Sequence, residues 1–456
     1  MVSLLLSQSS RESSFDESDA SMGSRLTPQK NQTTSPKLDL RTERLYVIKE
    51  LDTNDEKLIQ INKMLNRSRK ITVLTGAGIS CNAGIPDFRS SSGLYEMVKK
   101  QFPEISMRSG QEMFDISLFR DELKISMFAT FMEKLYSSVK LAQPTKTHRF
   151  IAHLKNRNKL LRCYTQNIDG LEENLGLEMS TNEQDPGVIG TSFNARWKNY
   201  DVVQLHGDLK TLACTRCFHV FPWNRYWCRS FRRGELPTCP QCEEKNFKRC
   251  QEGKRQIDNT GCLRPNIVLY GENHPSSDSI AQGLNLDISR GRSDFFIILG
   301  TSLKVDGIRK VVRQIAKQVH ERGGIVLLIN KTSIGDSSWH GLIDYQILTD
   351  CDSWVAHLQE QLPDFFKTQE TIDRQKMLKR ESSDLRKKKA AEQLAKNHIK
   401  TPPATPSRVK SEQEETSKNS IQNVKKRLLN VNDEIPSKKS RTNQAPIESP
   451  STYANP

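Results

Sequence analysis

Residues 70–95 read KITVLTGAGISCNAGIPDFRSSSGLY, and this stretch decides the fold. Ile71, Val73 and Leu74 form a short apolar run, and Gly76-Ala77-Gly78 follows it at once. Glycines at a strand end let the backbone turn sharply and approach a pyrophosphate with no Cβ in the way. A nucleotide-binding sheet begins in this manner. The continuation is what an ordinary dinucleotide fold lacks. Gly84-Ile85-Pro86-Asp87-Phe88-Arg89 sets an acid, an aromatic and a base beside the phosphate site.

Further strands follow outward from this one. Leu160 to Thr165 ends at Gln166-Asn167-Ile168-Asp169, and Val202 to Leu205 ends at His206-Gly207. Ile267-Val268-Leu269-Tyr270, Phe295 to Leu299 and Ile325 to Ile329 are continuous apolar runs, as expected of parallel strands buried on both faces. Helical spacing is present over 55–66, 308–322 and 110–154. In the last, Phe114, Leu118, Phe119, Leu123, Met127, Phe131 and Leu135 read as core. This βαβ alternation predicts an α/β fold: a doubly wound, Rossmann-like parallel sheet with a small zinc-binding domain inserted at about 207–264. In such sheets ligands bind beyond the carboxyl ends of the strands. Gly76-Ala77-Gly78, Gln166 to Asp169, His206-Gly207, Gly300-Thr301-Ser302 and Asn330-Lys331-Thr332 all stand at such ends. Five polar clusters in these places predict one nucleotide pocket rather than five ordinary turns.

The 456 residues suffice for two or three domains, but only 35% are hydrophobic and the mean hydropathy is −0.64. Disorder is expected over 1–40 and most of 367–456, with the folded domain at 41–366. From Phe366 to Pro456 there are 20 Lys and Arg against 11 Asp and Glu, a net of +9 out of the chain's +15. A basic tail fits nearness to nucleic acid or chromatin; a merely solvated tail is the plainer reading. No apolar run approaches membrane-spanning length, and Val2 to Leu6 is too short for a signal peptide. A soluble, intracellular protein is expected.

Ten cysteines in so long a chain do not suggest a disulfide framework. Cys214, Cys217, Cys239 and Cys242 form two Cys-x-x-Cys pairs, 21 residues apart. Each pair places two thiolates on one turn, and tetrahedral Zn²⁺ joins the turns. Four protein ligands close the sphere, so one structural ion is expected. Cys228, Cys250 and Cys262 read as plain thiols. A nucleic-acid-binding zinc ribbon competes for this segment alone, but leaves the nucleotide motifs unexplained. His206 follows a strand, precedes a glycine and adjoins the zinc segment. Its ordinary pKa near neutrality suits proton abstraction from a hydroxyl.

GAGISCNAGIPDFRS, TQNIDGL, QLHGDL, the two cysteine pairs, NIVLYGE, GTSLKV and INKT occur in that order over about residues 50–365. Together they resemble the sirtuins, NAD-consuming protein deacylases. Their flanking phrases are similar to a fungal nuclear branch acting on acetyl-lysine in the globular core of histone H3. The resemblance implies that His206 is the general base at the ribose hydroxyls, with Asn167 also catalytic. The acetyl oxygen attacks the ribose carbon bearing nicotinamide, and water resolves the alkylimidate to free lysine and O-acetyl-ADP-ribose. It further implies Ile85 and Asp169 in the nicotinamide pocket and Phe88 shielding the sugar. Gln166, Asn167 and Arg89 order ribose and phosphates. Gly76, Ala77, Gly78, Asp87 and Tyr95 belong to the same NAD site. Gly300, Thr301, Ser302, Asn330, Lys331 and Thr332 serve its phosphate and adenosine end, and Cys351 closes over adenine. Val268, Leu269, Tyr270, Gly271 and Glu272 would pair edgewise with the substrate backbone. Glu172 stands where many sirtuins carry histidine and is expected to matter little to catalysis. Residues 178–199 look inserted relative to short bacterial forms, either shaping the substrate or forming an inert loop.

Lys425-Lys426-Arg427 and Lys438-Lys439-Ser440-Arg441 are spaced like a bipartite nuclear signal. Thr27-Pro28 and Thr405-Pro406 look like proline-directed kinase sites, and Thr401 with Thr405 like a paired phosphodegron for a ubiquitin ligase. The leading expectation is therefore a nuclear NAD-dependent histone deacetylase acting on acetylated nucleosomes in silencing, repression and genome stability. Another protein-lysine deacylase, an NAD oxidoreductase and a non-enzymatic zinc-containing chromatin module are the alternatives.

Overall fold

The computed structural model describes residues 45–85, 98–105, 110–180, 192–257, 260–335 and 337–398. Its strands are β1 (Tyr46–Ile48), β2 (Ile71–Thr75), β3 (Leu160–Thr165), β4 (Val202–Gln204), β5 (Gly207–Cys214), β6 (Val220–Pro222), β7 (Leu263–Ile267), β8 (Phe295–Leu299), β9 (Ile325–Asn330) and β10 (Tyr345–Leu348). The helices are α1 (Glu56–Arg67), α2 (Glu122–Leu141), α3 (Lys146–Asn156), α4 (Phe193–Asn199), α5 (Arg225–Arg232), α6 (Pro240–Gln251), α7 (Ser277–Arg290), α8 (Asp306–Glu321), α9 (Cys351–Gln361) and α10 (Gln369–His398). Of the expected tails, residues 1–40 and 399–456, with Thr27, Thr401, Thr405 and both basic clusters, lie outside the described residues, whereas 369–398 of the tail expected over 367–456 form α10.

Seven parallel strands form the main sheet in the order β1-β10-β9-β8-β2-β3-β4. β2 and β8 lie at its centre and are buried at every residue. Because side chains alternate along a strand, the apolar runs feed two layers at once. Val73, Ile297, Leu327 and Ile347 pack with Ile61 of α1, Phe150 of α3 and Trp354 of α9. Leu74, Ile298 and Leu328 pack on the other side with Leu284 of α7 and Val312 and Ile315 of α8. The chain order runs 2-3-4 one way and 8-9-10 the other, so the switch point falls between β2 and β8. The expected doubly wound sheet is present, and the ligand cleft of such a sheet belongs at that point.

A three-stranded antiparallel sheet, β6-β5-β7, makes the second layer system. Leu212, Phe231 and Leu263 form its core with Cys214, Cys239 and Cys242, and Ala129 of α2 closes it. Trp223 stacks on Tyr136 of α2 with ring centroids 4.4 Å apart, and Arg232 pairs with the buried Glu133 at 2.7 Å.

Three expectations need correction. The run from Ile267 to Tyr270 is not a strand of the parallel sheet. The strand there is β7, which ends at Ile267, alternates in burial and pairs antiparallel with β5. Leu123 is 50% exposed, on the outer side of α2, while Leu118, Met127, Phe131 and Leu135 are buried. The helical spacing over 110–154 is also interrupted, two 3₁₀ turns at Gly110–Phe114 and Ile116–Arg120 preceding α2.

Residues 192–199 of the apparent insertion carry structure. Trp197 of α4 is buried and donates Nε1–H to Asp287 at 3.1 Å. Asp287 also accepts Arg162 Nε (2.9 Å) and Nη2 (3.2 Å) and the Tyr164 hydroxyl (2.7 Å). One buried carboxylate thus ties α7 to β3 and α4. Removing it leaves Arg162 charged and unpaired in the interior. Asp287→Ala is expected to lower the unfolding free energy by about 3–5 kcal/mol in urea denaturation. A loss under about 1 kcal/mol would show that the site relaxes around the missing carboxylate.

Candidate functional site

The cleft at the switch point is built on backbone contact. Gly76 N–H donates to Leu299 O (2.9 Å) and Gly78 N–H to Gly300 O (2.8 Å). A Cβ on Gly78 would stand 2.6 Å from Gly300 Cα, and one on Gly76 would stand 2.7 Å from Thr301 Cβ. Gly300 has φ +63°, and a Cβ there would meet Ile79 N at 2.6 Å. These glycines let two strand-end loops touch. This contact is a reason for glycine that the expected approach to a pyrophosphate does not include.

From Ala77 the chain runs as a 3₁₀ turn, Ala77–Ala83, closed by Gly84 at φ +87°. The turn carries Ser80, which was not among the expected site residues although it lies inside the quoted motif. Its buried hydroxyl donates to Asp169 Oδ2 (2.7 Å) and accepts from Asn167 Nδ2 (3.1 Å). Asp169 Oδ1 accepts Leu171 N–H at 3.1 Å. Below this chain, Thr75 Oγ1 donates to Thr165 Oγ1 (2.8 Å), which accepts Asn167 N–H (3.1 Å). Gln166 Nε2 donates to Thr301 Oγ1 at 2.9 Å. The ends of β2, β3 and β8 therefore hold one another through polar side chains.

His206, at the end of β4, has Nδ1 2.9 Å from Gln166 O. A carbonyl only accepts, so Nδ1 carries the proton and Nε2 keeps its lone pair. Burial holds the imidazole below its ordinary pKa of 6.5, against the opposing Gln166 carbonyl. Neighbouring His274 is pushed to about 4, first by burial, and stays neutral. His206 O accepts Val268 N–H at 2.9 Å, and Tyr270 exchanges backbone bonds with Phe114 (2.6 Å) and Ile116 (3.0 Å). The 268–272 segment is thus seated between His206 and residues 114–116. Gly271 turns it at φ +86°. The Glu272 carboxylate is committed to Arg264 (2.7 Å) and Leu269 N–H (3.1 Å), bracing the segment from within.

On the far side of the switch point, Asn330 at the end of β9 donates to Thr332 Oγ1 (3.0 Å). Exposed Lys331 pairs with Asp350 at 3.0 Å. Asp350 and Asp352 both accept from Asn82 of the 3₁₀ turn, at 3.1 and 2.9 Å. Cys351 is buried, its thiol pushed up to about 12 by burial and by Asp350 and Asp352. Ile85 packs half-buried beside Leu171 and Ala83. Asp87, Phe88, Arg89 and Tyr95 lie outside the described residues. Half-buried amides at Gln166 and Asn330, the Ser302 hydroxyl and an exposed ammonium at Lys331 form a donor set suited to the hydroxyls and diphosphate of a dinucleotide.

The four expected zinc ligands come together. Their sulfurs lie within 4.8 Å of one another, with Cys214–Cys242 at 3.7 Å and Cys217–Cys239 at 3.6 Å. A tetrahedron with Zn–S of about 2.3 Å separates its sulfurs by about 3.8 Å. The pairs are far too long for disulfides. Burial opposes ionisation of Cys214, yet N–H donors from Cys217 and Arg216 outweigh it and bring the thiol down to about 7. Cys228, Cys250 and Cys262 stand outside the cluster. The purified protein should carry one zinc per chain by elemental analysis, and Cys239→Ser should lose most of it and melt at a lower temperature. Full zinc retention in that variant would exclude Cys239 as a ligand.

Comparison with known proteins agrees with this geometry. The profile of the Sir2 family matches residues 76–184 and 194–307. The "NAD-dependent histone deacetylase HST3" of Saccharomyces cerevisiae is 63% identical over 371 residues, 81% of this chain and 81% of that protein. The Candida albicans protein of the same description is 50% identical over 322 residues, 70% of this chain and 65% of that one. The "NAD-dependent histone deacetylase HST4" of S. cerevisiae is 37% identical over 299 residues, covering 64% and 75%.

Proposed function

This chain belongs to the Sir2 family, and on that premise we propose that it is an NAD-dependent histone deacetylase acting on acetyl-lysine in the globular core of histone H3. Its products are deacetylated lysine, nicotinamide and O-acetyl-ADP-ribose. The observation that carries the reading is His206: a half-buried imidazole just beyond β4, kept neutral by burial and held in one tautomer by its bond to Gln166 O in the neighbouring strand-end loop. Bound NAD supplies the ribose that accepts the acetyl group, with loss of nicotinamide. His206 Nε2 takes the proton of a ribose hydroxyl, and its Nδ1–H bond to Gln166 keeps the ring in the required tautomer. Asn167 is fixed by Ser80 and Thr165 beside it. Asp169 is held for the nicotinamide end, while Gly76 to Gly78, Gly300 to Ser302 and Asn330 to Thr332 line the remainder of the dinucleotide site. Ile85 and Cys351 border it, and Asp87, Phe88, Arg89 and Tyr95 complete it.

Substrate backbone is read along Val268 to Glu272, the segment hydrogen-bonded to His206 O at its start. The zinc ion takes no part in the chemistry, because four thiolates fill its coordination sphere. A nuclear site of action, with roles in silencing and genome stability, follows from a chromatin substrate. The two basic clusters of the C-terminal tail supply a nuclear signal, and phosphorylated Thr401 and Thr405 a contact for a ubiquitin ligase.

Incubation with NAD and acetylated histone peptides or nucleosomes, followed by mass spectrometry, tests the reading. Loss of acetyl from a core lysine of H3 with release of nicotinamide is the expected result; NADH formation, or no acetyl loss, would overturn it. His206→Ala should abolish turnover while leaving the melting temperature within a few degrees. The acidic limb of the wild-type rate should lie below pH 6.5, because burial keeps His206 neutral there. A limb well above 6.5 would assign the base to another group.

A further inference from the structure

We propose that Glu172 is the protonated member of a buried acid–carboxylate pair with Asp169, and that it is a positioning residue for Asp169 in deacetylation. The inference rests on the functional reading above and deepens it. Glu172 is 0% exposed, and neither carboxyl oxygen has a hydrogen-bond partner among the described residues. It shares its site with Asp169 and His148, one ligand atom of each lying within 4.8 Å of the others. His148 is also fully buried, and its Nε2 likewise has no partner.

The available protons are divided by the local hydrogen bonds. His148 Nδ1 accepts Thr145 N–H at 3.2 Å, in the capping box that starts α3. Nδ1 is therefore the acceptor, and the neutral ring carries its proton on Nε2. A divalent cation would need that lone pair, so the arrangement suits a proton and not a metal. Asp169 accepts both the Ser80 hydroxyl and Leu171 N–H, donors that stabilise a carboxylate. Glu172 has no donor in hydrogen-bond geometry; the Thr165 hydroxyl and its own backbone N–H favour its ionised form, but burial and the charge of Asp169 outweigh them. Two carboxyl groups in one desolvated site do not both ionise, and the one with the weaker donors keeps the proton. Burial, then the charge of Asp169, raises Glu172 to about 8.

The other groups around Glu172 do not displace this assignment. Cys163 of β3 is a fully buried thiol pushed well above its ordinary value, and remains neutral. Lys210 of β5 favours ionisation of Glu172, but its ammonium is bound to Gly170 O (2.9 Å) and to Glu173 (2.5 Å). Asp352 of α9 acts on His148, whose pKa burial nonetheless lowers. With Glu172 neutral, Asp169 is the single charge at the end of the Asn167–Ser80–Asp169 chain. Ionisation of Glu172 sets a second charge against it and disturbs the same chain that orders Asn167.

The sign for stability follows from linkage. The folded state holds a proton that an unfolded glutamate releases, so stability is lost as pH rises from about 4.5 towards about 8. Glu172→Gln keeps the size and is neutral at every pH. Its melting temperature relative to wild type should rise steadily between pH 5 and pH 8. With saturating NAD and acetylated H3 peptide, wild-type nicotinamide release should fall about tenfold relative to E172Q by pH 9, one unit above the Glu172 transition. Parallel pH profiles for both proteins, in melting and in turnover, would overturn the proposal. Infrared spectra of the wild type supply a readout that needs no variant. A carboxylic-acid C=O band should persist at pH 7 and vanish above pH 9, and its absence at pH 7 would equally overturn the proposal. A chain that melts and titrates as stated but does not deacetylate would contradict the functional reading and leave the acid–carboxylate pair standing.

Discussion

The contact between Gly78 and Gly300 is the constraint on which the rest of the site depends. Two loops leave the sheet at the ends of its central strands, β2 and β8, and at the switch point they meet backbone to backbone. Any side chain at Gly78 would lie 2.6 Å from Gly300 Cα. Gly300 must also hold φ +63°, which L-residues with side chains rarely adopt. With the loops pressed together, Thr301 comes within 2.9 Å of Gln166 Nε2, and the β3 loop is drawn into the same layer. The 3₁₀ turn that begins at Ala77 then projects Ser80 onto Asn167 and Asp169. Three strand ends are brought into one layer by one glycine contact.

Polar residues buried at these ends are paired with few exceptions, and the exceptions are informative. Thr75, Thr165, Ser80, Asn167 and Asp169 satisfy one another in sequence. Such a network is fully committed and rigid. His148 Nε2 and the carboxyl of Glu172 are unmatched at its edge. Unsatisfied buried groups cost stability, and these two lie together beside Asp169.

Much of this was legible in the sequence, for physical reasons. Strands buried on both faces have to be apolar throughout, which made β8 and β9 plain. Cys-x-x-Cys spacing follows from chelation by a tight turn, so the metal ligands could be named before their sulfurs were placed. β1 and β10 were not visible: three residues carry little periodicity, and β10 is broken by the fully buried Gln346. The run 267–270 misled because an apolar tetrapeptide does not specify which sheet it joins. Leu269 is buried against α2 and Ile267 ends an antiparallel ladder. Ser80, His148 and Glu172 come from three separate elements. Their convergence is tertiary, and spacing along the chain carries no trace of it.

A separate link runs from the cysteine cluster to His206. β5 starts one residue after His206 and ends at Cys214, the first zinc ligand. β7 runs back beside it and ends one residue before Val268. At Gly207 (φ +80°) a Cβ would stand 2.4 Å from Asn266 O, so the two strands leave no room for a side chain beside His206. Val268 N–H to His206 O is the next contact beyond that ladder. The four-cysteine cluster stands at one end of β5, and the contact of His206 with the 268–272 segment stands at the other. A metal held by Cys214 therefore steadies the strand that leads to His206 without itself reaching the cleft.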